Sequence, residues 1–224
     1  SAIAGGIESS SLQPERVYAS GDDREGAYKV AQFTPQDQSP LAMLKGAERT
    51  IHKYNVTKED LYPHIIGSHQ RASAALDNPY LQSYIMPITI DGKRCVDECI
   101  RPKMNEKLLS RMKPLLGADS ITNAGNACLT HDGAAFVYLS NKKGPFKIHS
   151  VKPWAGNPQF SPEGTLESTE GILKRTDLTM DDIDVVEWNE AFAIIDVLFN
   201  KAYPNHIKKY NMLGGALAYG HPYG

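Results

Sequence analysis

Residues 185–193 read VVEWNEAFA. Two β-branched valines run into a polar pair, Asn189 and Glu190, and the apolar spacing changes there from extended to helical. The spacing predicts a short strand over 183–187 and a helix continuing through AFAIIDVLFNKAY. The Asn189 side-chain oxygen suits a helix cap. In α/β sheets, however, ligands gather beyond the carboxyl ends of strands, so the same pair suits a ligand-facing turn. Spacing alone leaves both readings open, with the cap the simpler.

Working outward, TMDD at 179–182 reads as a helix cap and TLESTEGILKRTDL (165–178) as a helix. PFKIHSVKPWAG (145–156) reads as a strand, and a further apolar strand covers 134–139. Strands alternating with helices predict α/β architecture with a largely parallel sheet. Upstream, SAIAGGIE (1–8) reads as a strand meeting a glycine turn, and the polar residues 9–40 as an extended excursion. A helix follows in SPLAMLKGAERTIHKYN, with Ser39 as N-cap and Pro40 at the first helical position. A second lies in TKEDLYPHIIGSHQRASAALDN, capped by Thr57 with Asp60 three residues on, and kinked or broken near Pro63. SYIMPITI followed by DGK reads as strand and turn.

The composition is that of a globular protein, 41% hydrophobic and 22% charged, with a net charge of −2. That balance gives no electrostatic case for nucleic acid or an anionic membrane as partner. No apolar run approaches the roughly 20 residues that span a bilayer, and no signal-peptide pattern opens the chain. Three cysteines, Cys95, Cys99 and Cys128, fit reduced thiols in a cytoplasmic setting. Cys95 and Cys99 stand in a C-x3-C spacing with no matching second pair, so no metal site is expected.

Two small-residue stretches bear on chemistry. AGNACLTHDGAA (124–135) allows close backbone approach, either to a ligand or simply in a packing turn. NMLGGALAYGHPYG (211–224) is neither G-x-G-x-x-G nor a P-loop, so glycine richness alone is weak support for a dinucleotide site. Its one histidine, His221, sits between Gly220 and Pro222, where a stiff and uncrowded backbone suits a positioned acid/base or oxyanion donor.

Taken in order, AGGIES, DECIRP…KP, AGNA with DGAA, NEAFA and GGALAYGHPYG resemble the thiolase family across nearly the whole chain. The resemblance implies a five-layered α/β fold of two βαβαβαββ halves with an inserted loop domain, here incomplete at both ends. Residues 1–8 would be a strand in the last part of the N-terminal half, 9–130 form the CoA-covering loop domain, 131–144 return to the N-terminal half, and 145–224 open the C-terminal half. It implies an acyl-CoA C-acyltransferase that makes or cleaves the carbon–carbon bond of a 3-ketoacyl-CoA through an acyl-cysteine, in a homo-oligomer (dimer or tetramer). Coenzyme A and acyl-CoA would be substrates, and no cofactor would be held covalently. His221 and Asn189 match the family's catalytic residues, with Glu190, Ala191 and Gly220 around the oxyanion hole. Arg101, Leu108, Ala127 and Cys128 match positions that contact coenzyme A.

The same resemblance places the nucleophilic cysteine upstream of residue 1 and the second cysteine beyond Gly224, so the 224 residues are expected to be part of a longer enzyme. Several positions depart from the family pattern: His131 before DGAA, Trp188 before NEAF, GTLESTEG for G-P-x-P-A, and Ala42 for the covering-loop histidine. These departures leave room for another reading, a non-catalytic thiolase-like protein that binds CoA esters or a partner subunit.

Overall fold

The structure is a computed structural model that describes residues 1–28 and 41–222. It is organised around one helix, α6 (Ala193–Ala202), in which every residue from Ala193 to Phe199 is buried. A helix with apolar residues around its whole circumference belongs in the middle of a protein. One side of α6, through Ile194 and Val197, packs into a cluster with Ala47, Ile51, Leu61, Ile65, Leu109 and Leu217. The other side, through Ile195, Leu198 and Phe199, packs against Met180, Val186, Trp188 and Tyr210. Each such side chain contributes about 1.5–3 kcal/mol by leaving water.

The helices that enclose α6 carry the expected signals with some corrections. Helix α1 (Ala42–Lys53) buries Gly46, Ala47, Thr50 and Ile51 on one face. The proposed cap Ser39 and Pro40 lie outside the described residues. Helix α2 (Lys58–Ala75) starts in a capping box: Asp60 N–H donates to the Thr57 hydroxyl and the Asp60 carboxylate accepts from Thr57. It continues through Pro63, so the break that the sequence allowed there does not occur. The proline removes one amide donor, but Glu59, whose carbonyl would accept it, is exposed to water, while Leu61, Ile65 and Ala72 anchor the helix to the core. Helix α3 (Pro79–Tyr84) takes in Ser83 and Tyr84, which had been expected in a strand. Asn78 caps it through two backbone N–H groups and Pro79 occupies its first position, so the local start signal prevails.

Strand β1 (Ala2–Glu8) pairs antiparallel with β6 (Gly133–Leu139) over its whole length, from Ala2 opposite Leu139 to Glu8 opposite Gly133. Two shorter antiparallel pairs join β2 (Arg16–Val17) to β3 (Ala27–Tyr28) and β4 (Thr89–Ile90) to β5 (Lys93–Arg94). The β4–β5 turn has positive φ at both Asp91 and Gly92, as the tight hairpin type requires. The largely parallel sheet is not formed among the described residues. Residues 145–156 make no ladder, and Phe146 and Ile148 are exposed. Residues 183–187 make one parallel bridge, Val186 to Tyr210. A strand exists through its neighbour: 145–156 has none beside it within the described chain, and 183–187 has only the short 209–211 segment. A short helix α4 (Glu106–Leu109), helix α5 (Glu163–Thr176) packed on α6, and helix α7 (Ala216–Tyr219) packed on α2 complete the structure.

Candidate active site

Segment 122–131 is the frame on which the site is built. Glu48 of α1 accepts hydrogen bonds from the backbone N–H of Ile121 and Thr122 and from the hydroxyls of Ser120 and Thr122. Burial works against its charge, yet these donors hold its pKa below the usual value. Asn123 and Asn126 then close the next turn by accepting from Gly125 N–H and Asn123 N–H. From that turn Ala193 N–H reaches the Asn126 carbonyl (2.9 Å) and Cys128 N–H the Ala191 carbonyl (2.9 Å), which attaches 189–193 on one side. His221 N–H donates to the Leu129 carbonyl (2.8 Å), which attaches the glycine-rich segment on the other.

Two distant motifs thereby meet. The Asn189 Nδ2 atom lies 3.0 Å from His221 Nε2. An amide nitrogen only donates, so the contact requires Nε2 to be unprotonated and an acceptor. Burial lowers the pKa of His221, which favours the same neutral ring. Gly220 precedes it at φ 87, a left-handed conformation that disfavours any side chain. A Cβ there would also collide with the His131 ring.

Beneath the turn, residues 186–190 alternate as a strand does: Val186, Trp188 and Glu190 point inward, Glu187 and Asn189 outward. Asn211 fixes this register. Its Oδ1 accepts from Trp188 N–H (2.9 Å), and its Nδ2 donates to the Trp188 carbonyl (2.9 Å) and to Glu190 Oε1 (2.8 Å). Glu190 is fully buried and also accepts from the Ser68 hydroxyl (2.5 Å) and from Arg71 (3.5 Å). Gly215 N–H donates to the same Ser68 hydroxyl (3.1 Å), and Gly215 lies directly against Glu190 with no room for a Cβ. Above lies a cleft of about 590 Å³ whose lining includes Leu76, Leu81, Ile85, Trp188, Asn189 and His221.

The sequence profile of the thiolase N-terminal domain matches residues 1–143, and that of the thiolase C-terminal domain matches residues 145–224. The chain belongs to the thiolase family. Among curated relatives it is 31% identical over 238 residues to the Staphylococcus epidermidis protein named "Putative acetyl-CoA C-acetyltransferase VraB", covering 99% of this chain and 61% of that one. A protein of the same name from Staphylococcus aureus is 31% identical over 235 residues, covering 99% and 62%. The chain thus spans about three fifths of the length of these relatives. Human mitochondrial 3-ketoacyl-CoA thiolase, solved in complex with CoA, superposes with a TM-score of 0.79 at 28% identity, covering 98% of this chain and 59% of that one. The Bacillus anthracis acetyl-CoA acetyltransferase superposes equally well at 24% identity, which supports the fold alone. The fold is therefore the thiolase-like α/β fold.

Among the candidate residues taken from the thiolase pattern, His221, Asn189, Glu190, Ala191, Gly220 and Cys128 fall in one cluster. Ala127 bridges to Phe192 beneath it and is buried in the core. Arg101 and Leu108 stand elsewhere: the Arg101 guanidinium turns back on the carbonyls of Glu98 and Ile100, and Leu108 is exposed. The Arg101 N–H donates to His69 Nδ1 (3.2 Å). The three thiols differ in setting. Burial raises the pKa of Cys128 to about 11 and that of Cys99 upward as well. Cys99 Sγ lies 2.7 Å from His131 Nε2. Among the described residues there is no cluster of His, Cys, Asp and Glu able to hold a metal ion, and no helix is long and apolar enough to cross a membrane. Sequence reasoning missed Ser68, Arg71 and Asn211. Each looks like a surface residue of a helix or turn, and only the fold brings them to Glu190.

Proposed function

We propose that the intact protein is an acyl-CoA C-acyltransferase that forms or cleaves the carbon–carbon bond of a 3-ketoacyl-CoA through an acyl-cysteine. The observation that carries this reading is the 3.0 Å approach of Asn189 to a neutral, half-buried His221 at a cleft. A neutral imidazole takes a thiol proton, and the thiolate so formed attacks the thioester carbonyl. The proton then passes to the departing CoA sulfur. The Asn189 amide donates towards oxygen, directly or through one water, where negative charge develops.

The acylated thiol is not one of the three in this chain. A thiol held near pKa 11, as Cys128 is, has almost no thiolate at neutral pH. Cys99 is buried, and Cys95 is exposed. The nucleophile therefore belongs to a segment outside these 224 residues, which fits the share of the relatives that the chain covers. Residues 1–8 and 131–144 are read as parts of the N-terminal half, 9–130 as a CoA-covering loop domain and 145–224 as part of the C-terminal half. Arg101, Leu108, Ala127 and Cys128 are assigned to the CoA side. The protein is read as a cytoplasmic homo-oligomer acting on soluble CoA esters.

In the intact protein, His221→Ala is expected to abolish acyl transfer while the Kd for CoA stays within about twofold, because the imidazole serves the reacting state. Arg101→Ala is expected to do the reverse, weakening CoA in a titration. Unchanged turnover in His221→Ala removes that residue from the mechanism. A wild-type protein that binds CoA and transfers nothing favours a non-catalytic CoA-ester binder instead.

A further inference from the structure

Asp196 stands on α6, four residues into the most buried helix of the molecule, and is 1% exposed. Neither of its carboxyl oxygens has a hydrogen-bond partner among the described residues, and the hydroxyl of Tyr210 is likewise buried without one. The charged and titratable groups facing it are Glu190 from the turn before α6, Tyr210 from the segment after 204–209, and Arg71 from α2. The two buried carboxyls are treated very differently. Glu190 accepts from Ser68, Asn211 and the Arg71 guanidinium, so its oxygens are supplied with donors. Asp196 has only the Tyr210 hydroxyl facing it as a donor, with no well-formed hydrogen bond to either oxygen among the described residues. An isolated buried carboxylate is so costly that it takes up a proton instead. A protonated carboxyl also gains a donor hydrogen, and an acceptor of negative character stands beside it.

We propose that Asp196 is a positioning residue held as the neutral acid, whose proton faces Glu190 and keeps the N-E-A-F turn, and with it Asn189, in register with His221. The direction of its pKa agrees: burial first, then the nearby Glu190, push it well above the ordinary carboxylate value. Like charges on both groups in so dry a space would force them apart. Movement of Glu190 would release Asn211, Ser68 and Gly215, the contacts that hold both halves of the site.

Part of this rests on the acyltransferase reading, and the test separates the two. Asp196→Asn in the intact protein keeps the shape and keeps a donor hydrogen, but does not titrate. Above about pH 4 the unfolded wild type has lost the Asp196 proton while the folded one retains it. Wild-type stability therefore falls as pH rises until the folded group itself titrates. Relative to Asp196→Asn, the wild-type folding constant should fall about tenfold per pH unit across that range. Parallel pH profiles for the two proteins would overturn the proposal whether or not the protein is an enzyme. Should Asp196→Asn fail to fold, the infrared spectrum of the wild type at neutral pH decides. A protonated carboxylic-acid band insensitive to exchange of bulk solvent supports the proposal, and its absence overturns it. The positioning role has its own readout: Asp196→Ala lowers kcat more than it alters KM, and Asp196→Asn restores it. An Asp196→Ala protein with wild-type kcat overturns that role.

Discussion

Asn189 and His221 are 32 residues apart in the chain, yet the Nδ2 atom of one lies 3.0 Å from the Nε2 atom of the other. Neither is placed by its own secondary structure. Asn189 points outward because Trp188 and Glu190 are drawn inward by Asn211, and His221 is fixed by its backbone bond to Leu129. The segment 126–131, bonded to Ala191 and Ala193 on one side and to His221 on the other, ties the two together.

Asn189→Ala tests the amide directly. On the proposed reading it removes a donor to the reacting oxygen, and it does so without opening the core, since the side chain is exposed. We expect kcat for acyl transfer to fall by about 10²–10³ with little change in melting temperature. Steady-state kinetics beside thermal unfolding checks both halves of the statement.

The acid limb of the rate profile follows from His221. Burial lowers its pKa, so the ring remains an unprotonated base below the pH where free imidazole is half protonated, about 6.5. The acid limb of kcat/KM should accordingly lie below that value. The stability contribution has the matching sign: it is present above about pH 6.5 and is lost as pH falls through the folded pKa. An acid limb above 6.5 would mean that a negative neighbour is missing from the account or that another group is the base.

Gly215→Ala addresses the packing under Glu190. A Cβ at this position runs into the Glu190 carboxyl, which is pinned by Ser68 and Asn211 and has nowhere to turn. The expected cost is about 1–3 kcal/mol, together with reduced turnover as the 188–190 register shifts. Wild-type stability and activity would show that Glu190 is less firmly held than these bonds indicate.

Phe199→Ala probes the core rather than the site. Phe199 is fully buried, stacks on Tyr210 at 4.2 Å and meets Trp188 edge-on at 5.2 Å. Loss of about 3–5 kcal/mol is expected in denaturant unfolding. Trp188 belongs to the same cluster, so its fluorescence offers a local probe of the change.

Much of this was legible in the sequence, though unevenly. Thr57 with Asp60, Asp91 with Gly92, and the apolar run after Asn189 are local signals, and each element they announce is present. The strand expected at 145–156 has the right residues but no neighbour among those described, and pattern alone carries no information about pairing. The Asn-Pro start of α3 was legible and overlooked, because the apolar residues at 85–90 suggested a longer strand. Spacing alone leaves Asn189 open between a helix cap and a ligand-facing turn; the helix begins at Ala193 with no side-chain cap, and the asparagine faces His221. Ser68, Arg71 and Asn211 carried no signal, since nothing about a serine or arginine inside a helical repeat says that a buried glutamate will lie against it.

The most direct test of the central claim is to mix the intact wild-type protein with acetyl-CoA, quench, and map the acyl group by peptide mass spectrometry. The account predicts a thioester on one cysteine outside the 224 residues, with Cys95, Cys99 and Cys128 unmodified, and no thioester in His221→Ala. Acylation of Cys128 or Cys99, or label that persists without His221, would contradict it.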